Sequence, residues 1–310
     1  MITSVILNSC IDRTVELKNL EIGGHNRADQ VKNDIGGKGI NVSVVLKHLG
    51  LQAACIGFEF TRGGNHVGDF LSRMDIPFTS VAVDHEMRMN IKLTDTVRHQ
   101  MTEVNERGAE VPQEAVQTVL SRLDELLPQT DILVADGSVP AGVPADTYRK
   151  MIEKANARGI PSVLDAAGDL FREGIKAGPW MVKPNTFELE TYFDTKTSSW
   201  AEAVALAKRL LQEGAQNVCL SMGGEGAALI TKDGIWYSAG SPIQIQAFQG
   251  AGDSMVAGLC LAQRQALPAE EMLRCGVAAA QASLVLPGTE LCTRAGFEEM
   301  LKTVSVHRIE

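Results

Sequence analysis

The sequence predicts a doubly wound, mainly parallel α/β sheet that is flanked by helices and carries a small β lid. Over the last two-thirds of the 310 residues, short apolar runs alternate with longer segments of helical periodicity. That alternation is typical of parallel strands joined by crossover helices. No linker, internal repeat or low-complexity tract divides the chain, so we expect a single domain over residues 1–310.

The elements of this domain follow from the spacing of the apolar residues. The short apolar runs predict strands at 4–7, 53–57, 132–135, 162–165, 181–183, 218–221 and 227–231. The longer periodic segments predict helices at 40–49, 114–127, 145–157, 200–213, 254–263 and 269–286.

Two segments, 15–33 and 89–104, interrupt the alternation of predicted strands and helices, because their apolar and polar residues alternate one by one. A period of two predicts antiparallel strands that project from the main sheet. We place the lid at approximately 13–34 and 87–105, as two insertions that can pair with each other. A lid of this kind presents sheet edges and a face that a second subunit can cover.

The composition argues against several classes of protein. With a net charge of −9, the chain shows no basic footprint for nucleic acid. The six cysteines lack metal-ligand spacing and have apolar neighbours, which favours buried thiols in a reducing cytosol over a zinc site. Neither a signal peptide nor a membrane-spanning run is evident, so we expect a cytoplasmic protein without membrane or nucleic-acid partners.

The sharpest local pattern is Gly-Ala-Gly-Asp-Ser at residues 250–254, followed by apolar residues at helical spacing. Small residues before a helix let several backbone N–H groups point outward, and the helix dipole adds partial positive charge there. Such a place can hold a phosphate. Asp253 in this run is either the N-cap of the helix or a general base beside the anion site.

Two further motifs are compatible with a nucleotide site. In the run 183–188, Asn185 and Glu188 would share one face of a helical turn and could hold hydrated Mg²⁺. A capping box formed by the same two residues is the structural alternative. The glycine-rich turn at 221–227 suits the close approach of a nucleotide, but it also suits a tight hairpin.

The N-terminal third offers groups for a second ligand. Residues 36–42 are glycine-rich without P-loop spacing, and Asn41 and Asp12 can form hydrogen bonds with the hydroxyls of a polyol. Arg27 and Arg88, on the predicted lid or at its base, can pair with an anionic group. A solvated surface position is the alternative for each arginine.

Together these motifs resemble the PfkB branch of the ribokinase-type carbohydrate kinases. The runs 36–42 and 250–254 carry the match, which extends from residue 7 to residue 289. The resemblance implies a ribokinase-like domain with a β lid, ATP and Mg²⁺ as cofactors, and often a homodimer in which the lids clasp.

A finer match concerns the substrate. The runs 23–27, 88–93 and 102–105 resemble those of family members that phosphorylate a sugar phosphate. They imply fructose 1-phosphate as the acceptor, with tagatose 6-phosphate as the alternative.

The resemblance also implies roles for individual residues. The base would be Asp253, and the anion would be bound by Gly250, Ala251 and Gly252. The residues implied for the nucleotide are Lys183, Asn185, Ser221, Gly223 and Gly226, with Glu188 and, through water, Asn185 for Mg²⁺. The residues implied for the sugar phosphate are Asp12, Gly37, Lys38, Asn41 and, for its phosphate, Arg27, Arg88 and Asn90. Ser138 joins them because it closes a predicted strand, where ligands gather in α/β sheets.

The chain departs from the family pattern at several positions, among them Asp136 and Met87, where a serine and a threonine are common, and Gln249. None of these is the base or one of the anion-binding glycines. A Rossmann dehydrogenase is disfavoured because no Gly-x-Gly-x-x-Gly follows the first strand. The open alternatives are another sugar or nucleoside kinase of the family and, in a different class, a non-catalytic sugar-phosphate sensor.

Overall fold

A computed structural model describes residues 1–64 and 66–310 of the chain. The strands of the described residues are β1 (Ile2–Ile6), β2 (Cys10–Leu17), β3 (Gln30–Gly36), β4 (Ala53–Arg62), β5 (Phe78–Glu86), β6 (Arg88–Asp95), β7 (Gln100–Asn105), β8 (Ile132–Asp136), β9 (Ser162–Asp165), β10 (Met181–Val182), β11 (Asn217–Ser221), β12 (Ala227–Thr231), β13 (Gly234–Ser238) and β14 (His307–Arg308). The α-helices are α1 (Lys38–His48), α2 (Val67–Arg73), α3 (Gln113–Leu126), α4 (Thr147–Asn156), α5 (Gly168–Gly174), α6 (Thr186–Phe193), α7 (Trp200–Lys208), α8 (Ala251–Arg264), α9 (Ala269–Leu284) and α10 (Arg294–Leu301).

The larger sheet has the strand order β14-β13-β12-β11-β10-β9-β8-β1-β4-β5 in the described residues. From β11 to β5 every neighbouring pair is parallel, and β12, β13 and β14 extend the sheet with antiparallel pairs. β1 lies between β8 and β4. The chain adds β4 and β5 on one side of β1 and then returns to add β8 and the later strands on the other side. This arrangement confirms the predicted mainly parallel, doubly wound sheet.

The helices group into two layers that pack on the larger sheet. In one layer α1 contacts α8, α8 contacts α9, and α9 contacts α10; in the other, contacts run in series from α3 to α7. The central strands are almost wholly buried, since all five residues of β1 and of β8 are buried. Continuous burial is the pattern expected of a parallel strand that is covered on both faces. Among the described helices, none is long and apolar enough to span a bilayer.

A separate sheet, here called the small sheet, has the order β3-β2-β6-β7. The pairs β2–β3 and β6–β7 are antiparallel hairpins, as predicted, but the pair β2–β6, which joins the two segments, is parallel. The prediction of a wholly antiparallel sheet was therefore wrong. Since β2 follows β1 and β6 follows β5 almost directly, both continue in the common direction of two parallel strands of the larger sheet.

Several predicted boundaries also differ from the structure. Helix α8 begins at Ala251 and not at residue 254, so Asp253 lies inside its first turn. The predicted helix 200–213 ends at Lys208 and continues as a short 3-10 turn. Prediction missed the short elements α2, α5, α10, β13 and β14, and the edge strand β5, which ends in the polar and charged run Asp84–Glu86.

Candidate active site

The start of helix α8 forms an anion-binding turn. Gly250 caps the helix with a φ of 71°, a left-handed conformation that favours glycine, and a Cβ there would come within 2.3 Å of Leu291. The first hydrogen bond of the helix runs from the Ser254 N–H to the Gly250 carbonyl at 2.8 Å. The N–H groups of Ala251, Gly252 and Asp253 therefore have no acceptor within the helix and are available to an anion.

Asp253 lies buried at this turn. The structure contradicts the N-cap interpretation, because the cap is Gly250, which has no side chain, and Asp253 lies inside the first turn of the helix. Asn41 Nδ2 of helix α1 donates a hydrogen bond to Asp253 Oδ2 at 2.7 Å and fixes the carboxylate. Burial raises the pKa of Asp253 above its usual value, although Lys38 and the bond from Asn41 oppose the shift. A carboxylate of raised pKa beside an anion site suits proton abstraction.

Two lysines and two further aspartates surround this carboxylate. Asp165, at the end of β9, joins the two lysines, since its oxygens lie 3.0 Å from Lys38 Nζ and 2.9 Å from Lys183 Nζ. Burial disfavours charge on Asp165, but Lys183 and Lys38 outweigh it and hold its pKa below the usual range. Asp136 lies 3.6 Å from Lys38 Nζ, and its carboxyl oxygens accept no hydrogen bond from the described residues. Burial and the charge of Asp165 raise the pKa of Asp136.

Lys183 places positive charge directly beside the anion-binding turn. A Cβ built on Gly252 would lie 3.3 Å from Lys183 Nζ. Burial disfavours the charged ammonium, yet Asp165 more than compensates and raises the pKa of Lys183. Lys183 thus stays charged where the amides of Ala251 and Gly252 are free. This combination can stabilise negative charge that develops on a bound phosphoryl group.

A cavity of about 560 Å³, here called the first cavity, opens on one side of Asp253. Its polar wall contains the predicted nucleotide residues Lys183, Asn185, Glu188, Ser221, Gly223 and Gly226. Gly226 has a φ of 99°, and a Cβ there would meet the Ser238 carbonyl at 2.0 Å, so the turn requires glycine. The cavity also has an apolar wall, whose residues were not predicted from the sequence: Ile243, Ile245, Phe248, Met255, Val277, Ala280 and Leu284.

Asn185 and Glu188 form a capping box at the start of α6, which confirms the structural alternative. The Glu188 N–H donates to Asn185 Oδ1 at 2.8 Å, and the Asn185 N–H donates to Glu188 Oε2 at 2.9 Å. Both residues nevertheless line the first cavity. Glu188 Oε1 takes no part in the box, so one carboxylate oxygen remains for a hydrated cation. The donor set therefore fits Mg²⁺ that is bound mainly through water.

A second cavity, of about 440 Å³, lies between the small sheet and helix α1. It brings together many of the residues predicted for the acceptor: Asp12, Gly37, Lys38, Asn41, Arg88 and Asn90. Asp12 Oδ1 accepts a hydrogen bond from Asn90 Nδ2 at 3.0 Å and forms an ion pair with Lys92 Nζ, which lies 3.0 Å away. Arg88 Nη1 donates to Asn90 Oδ1 at 2.7 Å. Asp253 and Lys38 line both cavities, so the two ligand spaces meet at the carboxylate.

Two predicted residues lie apart from this second cavity. Ser138 accepts a hydrogen bond from Asn8 Nδ2 at 3.0 Å and lines a smaller adjoining cavity of about 300 Å³ that also contains Lys38 and Arg88. Arg27 is exposed in the β2–β3 connection and does not line the second cavity. Its predicted contact with the acceptor stays a prediction.

Comparison with known proteins identifies related chains over the full length. The pfkB family of carbohydrate kinases matches residues 3–295. The 1-phosphofructokinase of Bacillus subtilis is 33% identical over 309 residues, with 100% of both chains covered. That of Borreliella burgdorferi is 31% identical, covering 100% of this chain and 99% of the relative.

A solved structure shares the fold. Phosphofructokinase-2 of Escherichia coli is 25% identical with a TM-score of 0.89, and 97% of this chain and 98% of that chain are covered. It has been solved in complex with substrates and products and in a tetrameric inhibited form.

Proposed function

Because the chain belongs to the PfkB family of carbohydrate kinases, we propose that it transfers the γ-phosphoryl group of ATP to the 6-hydroxyl of fructose 1-phosphate. As a kinase of this family it is a phosphotransferase with an alcohol acceptor. The buried Asp253 beside the anion-binding turn argues against the non-catalytic sensor, since a sensor has no use for a base. The observation that carries the proposal is the meeting of two cavities at Asp253, beside the free amides of α8. The relatives named 1-phosphofructokinase support the choice of acceptor.

In this proposal ATP occupies the first cavity. The apolar wall binds the adenine ring. The turn containing Gly223 and Gly226 lies close to the ribose and the phosphates of ATP, and Lys183 faces the γ-phosphate. Mg²⁺ held through water by Glu188 and Asn185 would neutralise charge on the phosphates. The sugar phosphate occupies the second cavity, with its reacting hydroxyl at Asp253.

The transfer itself needs one base and one anion-binding turn. Asp253 accepts the proton of the 6-hydroxyl while that oxygen forms a bond to the γ-phosphorus and the bond to the ADP oxygen breaks. The amides of Ala251 and Gly252, with Lys183, stabilise the charge on the transferred group. The Asn41 hydrogen bond keeps Asp253 aimed at the acceptor. Phosphorus NMR of the product should show a retained 1-phosphate and a new 6-phosphate; a new phosphate on any other carbon would contradict this assignment.

We propose that Arg88 binds the phosphate of the acceptor and that Asn90, which accepts a hydrogen bond from Arg88, orients its guanidinium. Arg88→Ala is expected to raise the KM for fructose 1-phosphate about tenfold to a hundredfold, because it removes a hydrogen bond between two charged groups. Steady-state kinetics should show a smaller change in kcat. Arg62→Ala, which removes an arginine from an exposed pair with Asp84, is the matched control and should leave KM unchanged. An unchanged KM in Arg88→Ala would remove this residue from the phosphate site.

We also propose that the small sheet is a lid with two functional faces. The register places Asp34, Asp12 and Asn90 side by side on the face toward the second cavity. The opposite face carries Val31, Val15 and Leu93 in one row and Ile91 and Val104 in the next. Val31 is 52% and Val104 55% exposed, so this face is apolar and open in the single chain.

A second copy of the chain covers this outer face in the proposed homodimer. Val104→Glu would place a charge in the apolar contact and is expected to convert the dimer to a monomer in sedimentation velocity experiments. Met101→Glu is the matched control, because Met101 is 48% exposed on the same strand but pairs with Thr94 on the other face. A wild-type monomer, or a Val104→Glu dimer as tight as the wild type, would contradict the proposed dimer contact through the small sheet.

A further inference from the structure

Lys92 is a buried lysine that the mechanism above does not use. It lies on β6 of the small sheet, is 2% exposed, and does not line the second cavity. Its ammonium lies 3.0 Å from Asp12 Oδ1 and donates a hydrogen bond to Gln249 Oε1 at 2.6 Å. A buried ammonium is costly unless it is paired and hydrogen-bonded, so both partners are needed to keep Lys92 in place.

The two partners of Lys92 both line the second cavity but lie on different structural elements. Asp12 lines the second cavity from the small sheet. With Oδ1 held by Lys92 and Asn90, its other carboxylate oxygen remains available to an acceptor hydroxyl. Gln249 immediately precedes Gly250, the residue whose left-handed conformation starts the anion-binding turn. Lys92 therefore connects the acceptor side to the turn that binds the transferred phosphoryl group.

Among the hydrogen bonds of the described residues, no other bond joins the small sheet to residues 246–253. The small sheet also forms a hydrogen bond with the loop after α9: Thr289 Oγ1 donates to Asp34 Oδ2 at 2.8 Å. Thr289 lies in the loop after α9, and this loop reaches the anion-binding turn through the apolar side chain of Leu291 beside Gly250, not through a hydrogen bond. The bond from Lys92 to Gln249 is thus the polar link between the small sheet and residues 246–253.

We propose that Lys92 is a positioning residue that couples Asp12 to the anion-binding turn through Gln249. This inference rests on the proposed kinase reaction at the same site. When the acceptor binds to Asp12, the small sheet and the turn are held in one arrangement. Displacement of reacting groups by about an ångström can cost about a hundredfold in rate, so the link acts mainly on kcat.

A double-mutant cycle on kcat tests the coupling. Gln249→Leu removes the acceptor of the bond at a half-buried position and is expected to lower kcat about tenfold, with the acceptor KM within about twofold. Lys92→Met should lower kcat and also raise the acceptor KM, because it releases Asp12. The double variant should then have the kcat of Lys92→Met alone. Gln249→Glu, which keeps an acceptor oxygen, should retain wild-type kcat within about threefold.

The outcomes separate the coupling from the proposed function. Failure of the wild-type chain to phosphorylate any sugar phosphate would refute the reaction and with it the coupling. With an active wild-type chain, independent losses that multiply in the double variant would overturn the coupling alone. So would a Gln249→Leu variant whose kcat is unchanged. If Lys92→Met does not fold, Gln249→Leu and Gln249→Glu still decide between coupling and a merely structural contact.

Discussion

Asp253→Asn is expected to lower kcat by about two to four orders of magnitude. The amide keeps the size of the side chain and can still bond to Asn41, but it cannot accept a proton from the acceptor hydroxyl. ATP binding should change little, because the first cavity has its apolar wall and glycine turn unaltered. Stopped-flow or steady-state assays give kcat, and titration with a fluorescent nucleotide gives the affinity. A variant that turns over at nearly the wild-type rate would show that Asp253 is not the base.

The pH dependence of the wild-type enzyme provides a second check on this residue. The base works in its ionised form, so kcat/KM should fall as the pH drops through the pKa of Asp253. Burial raises that pKa, which places the acid limb above the ordinary aspartate value of 3.8. An acid limb at or below the ordinary value would conflict with the buried position of the carboxylate.

Asp165→Ala is expected to lower the free energy of unfolding by about 3–5 kcal/mol. The buried Asp165 pairs with Lys38 and Lys183, and its removal leaves the buried ammonium of Lys183 without its nearest counter-charge. Urea unfolding monitored by circular dichroism measures the loss. Activity should fall as well, since Lys183 would no longer be held against Gly252.

An exposed ion pair offers the matched control for this substitution. Asp84 lies 2.7 Å from Arg62 Nη2 and its side chain is largely exposed, so Asp84→Ala should change stability little. If the two substitutions cost the same, the pairs of Asp165 would contribute no more than a surface contact. That outcome would also weaken the role given to Lys183 at the anion-binding turn.

The sequence was most informative where a pattern is local. The strands at 162–165 and 227–231 coincide with β9 and β12, because buried apolar runs bounded by turns show directly in the residues. Residues 250–254 likewise indicated a helix start beside small residues. The capping box of Asn185 and Glu188 depends on a spacing of three, which is why both of its interpretations could be stated in advance.

Features that depend on distant pairing could not be predicted in this way. Lys38 and Asp165 are 127 residues apart, and Lys92 and Gln249 are 157 apart, so no local pattern joins them. β2 and β6 pair in parallel because they continue β1 and β5, which run in the same direction in the larger sheet. The alternation of apolar and polar residues does not show this direction. The apolar wall of the first cavity combines an irregular segment before α8 with Met255 of α8 and one side of α9.

Preference among acceptors is the measurement that decides whether the chain phosphorylates fructose 1-phosphate. ADP release would be followed with Mg²⁺-ATP and five candidates: fructose 1-phosphate, fructose 6-phosphate, tagatose 6-phosphate, fructose and ribose. We expect the highest kcat/KM for fructose 1-phosphate, about tenfold or more above the unphosphorylated sugars, since only a phosphate on the acceptor engages Arg88. Preference for fructose or ribose, or no ADP release with any of the five, would contradict the proposed reaction.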